Sequence, residues 1–179
     1  MRPFSLGVAA IVCSTVCSQL SAEQTVAWKT AGIAEDAILV SAEHGASLFA
    51  DVCAKTLPTF ELANARLKQM PFKQDSKSRT FFHDELDLSF NTEVIQDSGS
   101  PKCSMVFASI EPAETLTVKL GAFLVRQFVE DIPKESFQYD STTHQVQIDL
   151  PNGSVFYFHA AELEYEHPLY QAAIVTVKE

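Results

Sequence analysis

Cys53 lies in FADVCAKTLPTF and Cys103 in KCSMVFASI. A cysteine in either place can act as a nucleophile, ligate a metal or close a disulfide. A nucleophilic thiol needs an electropositive, partly exposed setting that lowers its pKa. Cys53 instead has Asp51 beside it and shares an apolar stripe with Leu48, Phe49 and Val52. A structural zinc site takes four ligands at tight spacing, and the sequence holds no CxxC. The disulfide fits the pattern better. On a helix, Phe49 and Cys53 stand at i and i+4, and on a strand Cys103 alternates with Met105 and Phe107, so both sulfurs aim at a core. A bridge between them closes a loop of about 51 residues, which the chain-entropy model values at roughly 4 kcal/mol.

The five histidines are His44, His83, His144, His159 and His167, and no GxSxG, P-loop, HExxH or EF-hand pattern accompanies them. His83, followed by Asp84 and Glu85, has the atom types of a metal site or a general base. It falls on the polar side of an amphipathic strand pattern, where solvated charge is the usual cause. His159 and His167 flank AAELEYE and would meet Glu162 or Glu164 only if a strand end brought them together. No catalytic residue, metal site or cofactor is assigned. A different grouping forms the candidate interaction surface: Gln145, Gln147, Tyr157 and His159 fall on one polar and aromatic sheet face, a type of surface enriched at interfaces.

These residues follow an N-terminal stretch of another character. Met1-Arg2 is a short basic segment, Phe4 to Cys17 carries no charge, and Gln19 to Ala22 leads into Glu23. That is the layout of a secretory signal peptide cleaved after Ala22 or Ser18, and too short for a stable membrane anchor. Its removal takes Cys13 and Cys17 away and leaves Cys53 and Cys103 as the only intramolecular pair, in a periplasmic or secreted compartment where disulfides persist. The formal net charge of −10 becomes one unit more negative when Arg2 is lost. Such a surface repels phosphate backbones and anionic lipid heads and disfavours nucleic acid. A basic protein partner or a cationic ligand suits it.

The elements that must position these groups are read from periodicity. Residues 23–44 form an arm containing Trp28, with a short helix expected at Ala34 to Val40. The spacing predicts one helix from about Gly45 to Thr56 and a second, capped by Thr59, with Phe60, Ala63, Leu67 and Met70 on its stripe until Pro71. The two make a hairpin cornered at Leu57-Pro58. FFHDELDLSF then alternates as a single strand, with Phe82, Leu86, Leu88 and Phe90 on the apolar face. The Cys103 strand is apolar on both faces and so central. A long helix runs from Pro112-Ala113-Glu114 to about Asp131, with one stripe at Leu116, Leu120, Phe123, Leu124 and Phe128. A second stripe at Val118, Ala122, Val125, Val129 and Ile132 leaves it narrowly wetted. HQVQIDL and SVFYFHA form a hairpin through Pro151-Asn152-Gly153, a three-residue loop setting Ile148 against Phe156 and Val146 against Phe158. A last strand covers about Leu169 to Val177.

The expected architecture is therefore α+β: a signal peptide at 1–22, an arm at 23–44 and one domain at 45–179. That domain is an N-terminal helical hairpin followed by ββαβββ, with an antiparallel sheet of about five strands packed on helices, an order compatible with a profilin-like or PAS-like fold. LFADVCAKTLPTF, FFH with LSF, and KCSMVFAS together resemble a group of small uncharacterised exported bacterial proteins, over residues 46 to 110. The resemblance rests on the cysteine pair in its CxxxLP and CSMVF surroundings. It implies export and the disulfide, and no activity. The expected function is that of an exported, disulfide-stapled, non-enzymatic domain binding a protein partner or small ligand in the cell envelope, an inhibitor or immunity-type role being its furthest extension. The alternatives are a histidine-dependent hydrolase or metal enzyme and a PAS-like small-molecule sensor.

Overall fold

The computed structural model describes residues 37–128, 134–140, 145–161 and 169–176. The expectations for the leader and for the arm through residue 36, and those for His144, Glu162, Glu164 and His167, lie outside these residues. Residues 33–179 group into one compact unit.

Ser41 starts the first helix, α1 (Ala42–Val52), where its Oγ accepts from the His44 N–H at 3.2 Å and satisfies a donor that no helical carbonyl can reach. Residues Ala46, Phe49, Ala50 and Val52 are buried along one side. The helix ends at Cys53, and a 3-10 turn over Ala54–Thr56 follows, tied back by the Thr56 hydroxyl, which donates to the Val52 carbonyl at 2.6 Å.

The expected helical hairpin is overturned. The second helix, α2 (Glu61–Leu67), is seven residues long and starts from Phe60 in the left-handed region at φ 57°. It tightens into three-residue bonds, Gln69 N–H to Arg66 O at 2.9 Å and Met70 N–H to Leu67 O at 3.2 Å. Pro71 disfavours a helical conformation at Met70, so the stripe stops there and Phe72 enters a strand. The main helical neighbour of α1 is the long helix α3 (Ala113–Phe128), not α2.

The described strands form one eight-stranded antiparallel sheet rather than the expected five-stranded one, and with it the ββαβββ, profilin- or PAS-like arrangement falls. They are β1 (Phe72–Gln74), β2 (Phe81–His83), β3 (Leu88–Val94), β4 (Pro101–Ala108), β5 (Phe137–Asp140), β6 (Gln145–Asp149), β7 (Ser154–Ala161) and β8 (Leu169–Thr176). Their spatial order is β1-β2-β3-β4-β8-β7-β6-β5, two meanders that meet where β8 lies along β4. The strands missed are the two edges, β1 and β5, which are three and four residues long and carry little alternation to detect.

The remaining additional strand comes from splitting FFHDELDLSF. His83 turns the chain: its Nδ1 accepts from the N–H of Glu85 at 3.1 Å and of Leu86 at 3.0 Å. Phe81 then pairs with Phe90, and both are buried, while Phe82 is half-buried on the far side. The turn residues reset the two-residue period, so Phe81 rather than Phe82 faces the core. The 150s hairpin follows the three-residue register. Gly153 takes φ 76°, its N–H donates to Leu150 O at 3.0 Å, and Val146 opposes Phe158 with Ile148 opposing Phe156.

All the described helices pack on one sheet face, that of Cys103, Met105, Phe107, Phe156 and Phe158. The Phe49 ring of α1 meets Phe156 edge-on at 5.8 Å, and Asn64 of α2 accepts from the Thr92 hydroxyl on β3 at 2.8 Å. A disulfide joins Cys53, at the end of α1, to Cys103 on β4, with 5.6 Å between their Cα atoms and both residues fully buried. Among the described residues no helix is long and apolar enough to cross a membrane.

Candidate functional site

Two candidate surfaces lie on opposite sides of the sheet. The first is a groove of about 450 Å³ between α3 and the β5–β6 end of the sheet. Its floor is Val146 and Ile148 of β6, which are 5% and 1% exposed. Register sets Tyr139 opposite Val146 and Phe137 opposite Ile148, so the two β5 rings stand on the same side as the floor and form one wall. The opposite wall is α3, with Val118, Gly121 and Ala122.

Sequence periodicity had these α3 positions half right. Leu116 and Leu120 of the first stripe are buried, at 0% and 1%. Val118 of the second stripe is 69% exposed, and Ala122 is exposed as well. At these two positions the helix is more exposed than the second stripe predicts, and the expectations for the side chains of Phe123, Leu124, Val125 and Phe128 and for Val129 and Ile132 lie outside the described residues. A methyl group placed on Gly121 would find no heavy atom within 4 Å. Phe137 and Tyr139 remain 43% and 55% exposed. The groove escapes a sequence reading because FQYD is too short to register as a strand. The signal that could have found it is the second α3 stripe, which has no partner stripe in the sequence once the core is filled.

The second surface is the helix-free face, which carries the predicted interaction residues. Gln147 opposes Tyr157, Tyr157 opposes Ala173, and His159 opposes Gln171. Gln145, Tyr157 and His159 line a shallow depression of about 270 Å³ together with Lys102 and Gln171. Gln147 stands beside it, its amide donating to Asp149 at 3.1 Å. The Lys102 ammonium is held by Glu93 at 2.9 Å. Burial lowers the His159 pKa below its ordinary value of 6.5 and keeps the ring neutral near pH 7.

His83 has a different place from the one its sequence neighbours imply. It opposes Phe72, whose ring meets it edge-on at 4.9 Å, and so lies on the helix-covered side of β2 rather than on a polar outer face. Its Nδ1 is already committed to the turn. Desolvation lowers its pKa, the Asp84 and Glu85 carboxylates partly oppose that, and nearby His44 reinforces it. His83 and His159 are on opposite faces with β3, β4 and β8 between their strands. Among the described residues no group of three or more His, Cys, Asp or Glu side chains is placed to hold a metal ion.

A third depression, of about 490 Å³, lies between α2 and the ends of β3 and β4. Phe60 and Arg79, the two non-glycine residues at positive φ, both border it. Its lining mixes Arg79 and Lys102 with Glu61 and Glu93, so it has no dominant charge.

No family model, no curated protein and no solved structure matches the chain.

Proposed function

We propose that this chain is an exported, disulfide-stapled, non-enzymatic binding domain of the cell envelope, and that it takes a small hydrophobic ligand in the groove between α3 and β5–β6. The observation that carries this reading is the exposure of Val118, Phe137 and Tyr139 around a floor of fully covered aliphatic side chains. Apolar walls with a few polar groups at their margin are the usual composition of a small-molecule site, and the volume falls in the usual range. The signal-peptide layout and the oxidised Cys53–Cys103 pair support the envelope as its location. Among the described residues His83 and His159 do not share a site.

The test is fluorescence of N-phenyl-1-naphthylamine, an uncharged probe that brightens in apolar surroundings. Its emission should rise on adding the oxidised protein and saturate at one probe per chain. Gly121→Leu, which fills the groove from the helix side, should remove most of the rise. No brightening, or equal brightening with the variant, sinks the proposal.

A second reading has its own observation. Gln145, Gln147, Tyr157 and His159 form one continuous helix-free patch, suited to a flat protein partner, for which a basic protein matches the net charge of −10. Tyr157→Ala should weaken capture of such a partner and leave naphthylamine binding unchanged.

A further inference from the structure

We infer that the ligand of the groove is a small amphiphile with an elongated apolar body and one positively charged end, and that Glu114 selects that charge. This rests on the groove reading and adds the chemistry of the occupant. Among the described residues that line the groove, Glu114 is the only charged one. It sits in the first turn of α3, next to Ala113. Its side chain is exposed and makes no ion pair among the described residues.

Ligand classes separate on this arrangement. Among the described residues, a fatty acid or other anionic amphiphile would meet one carboxylate and no counter-charge. A neutral alcohol would gain only the burial of its chain. A cationic head gains the same burial, together with a charge attraction to Glu114, in a protein whose net charge of −10 already draws cations toward it. The other polar residues of the described lining, Thr117, Gln138 and Tyr139, are not acidic or basic in the way a carboxylate or ammonium is. The Thr117 hydroxyl is spent on the Ala113 carbonyl at 2.7 Å, and Gln138 is uncharged.

The experiment uses the oxidised full chain loaded with N-phenyl-1-naphthylamine. Three ten-carbon competitors are added below their micellar concentrations: decyltrimethylammonium, 1-decanol and decanoate. The cation should displace the probe at a concentration about tenfold below that of decanoate, with decanol between them. Glu114→Gln should shrink that gap to about twofold and leave decanol unchanged, since only the charge is removed. Gly121→Leu should weaken all three alike, in a helix that Leu favours over Gly.

A wild-type protein that ranks decanoate level with the cation or ahead of it overturns the inference. So does a Glu114→Gln protein that keeps the full gap, because the preference would then belong to the acidic surface at large. Either result, obtained with the naphthylamine bound, leaves the groove standing and removes only the charge selection. Failure of the naphthylamine to bind removes both.

Discussion

Glu111 caps a helix that lies 69 residues before it: its Oε1 accepts from the Ala42 N–H at 3.1 Å. The same residue is fixed from two other sides, for its own N–H donates to Ser109 Oγ at 3.1 Å and its carbonyl accepts from the Tyr170 hydroxyl at 2.8 Å. The loop between β4 and α3 thereby holds α1 and β8 at once. Glu111→Gln keeps an acceptor and should lose little. Glu111→Ala leaves Ala42 without its partner and should cost about 1 kcal/mol in urea unfolding. Equal stability of the two variants would show that the cap contributes nothing.

The Cys53–Cys103 bond predicts an intact mass two hydrogens lighter before reduction than after. Replacing both residues by Ala should lower the unfolding free energy by roughly 4 kcal/mol, the entropy of closing that loop in the unfolded chain. Identical masses with and without reductant would refute the bond.

His83 and His159 predict an acid limb in the stability profile. Both folded pKa values lie below the ordinary 6.5 because burial disfavours the charged ring. The unfolded chain therefore binds protons that the folded one resists, and stability rises with pH in that interval. The contribution is complete above about pH 6.5 and is lost as pH falls through the lowered folded values. His159 is the more enclosed of the two, and solvent screens His83 more. Protonated His83 also loses Nδ1 as an acceptor for Glu85 and Leu86. His83→Asn, whose Oδ1 can accept in its place, should reduce the slope of the profile below pH 6.5 while holding the turn. His83→Ala should cost about 1 kcal/mol at pH 7.5. A profile unchanged in His83→Asn would count against this account.

Gly153 occupies the left-handed position of the 150s turn at φ 76°. Gly153→Ala has space for its methyl group, with nothing within 4 Å, so its cost is backbone strain alone and should be about 1 kcal/mol in thermal unfolding. A neutral substitution would mean that the loop relaxes to another turn.

What could be read in advance was what local chemistry decides. Pro151-Asn152-Gly153 specifies a register by itself, and that register pairs Ile148 with Phe156. The apolar run around Cys103 announces a central strand, and β4 has three strands on one side. What could not be read depended on tertiary neighbours. FQYD becomes a strand because β6 is there to pair with it. Phe82 and Phe81 exchange faces because the His83 imidazole makes a turn that no residue pattern encodes. The groove depends on the distance between α3 and β5, and neither segment records that spacing.

Both cysteines precede α3, so the covalent link belongs wholly to the first meander and the helices above it. A chain synthesised from its amino end presents Cys103 while β5 through β8 are still to come. The bond can close on α1 and β4 alone, and the second meander then joins a border that is already locked. Until β8 arrives, that border offers open backbone donors and acceptors to any passing extended chain. β8 is thus the strand that covers the β4 edge of the disulfide-bonded half.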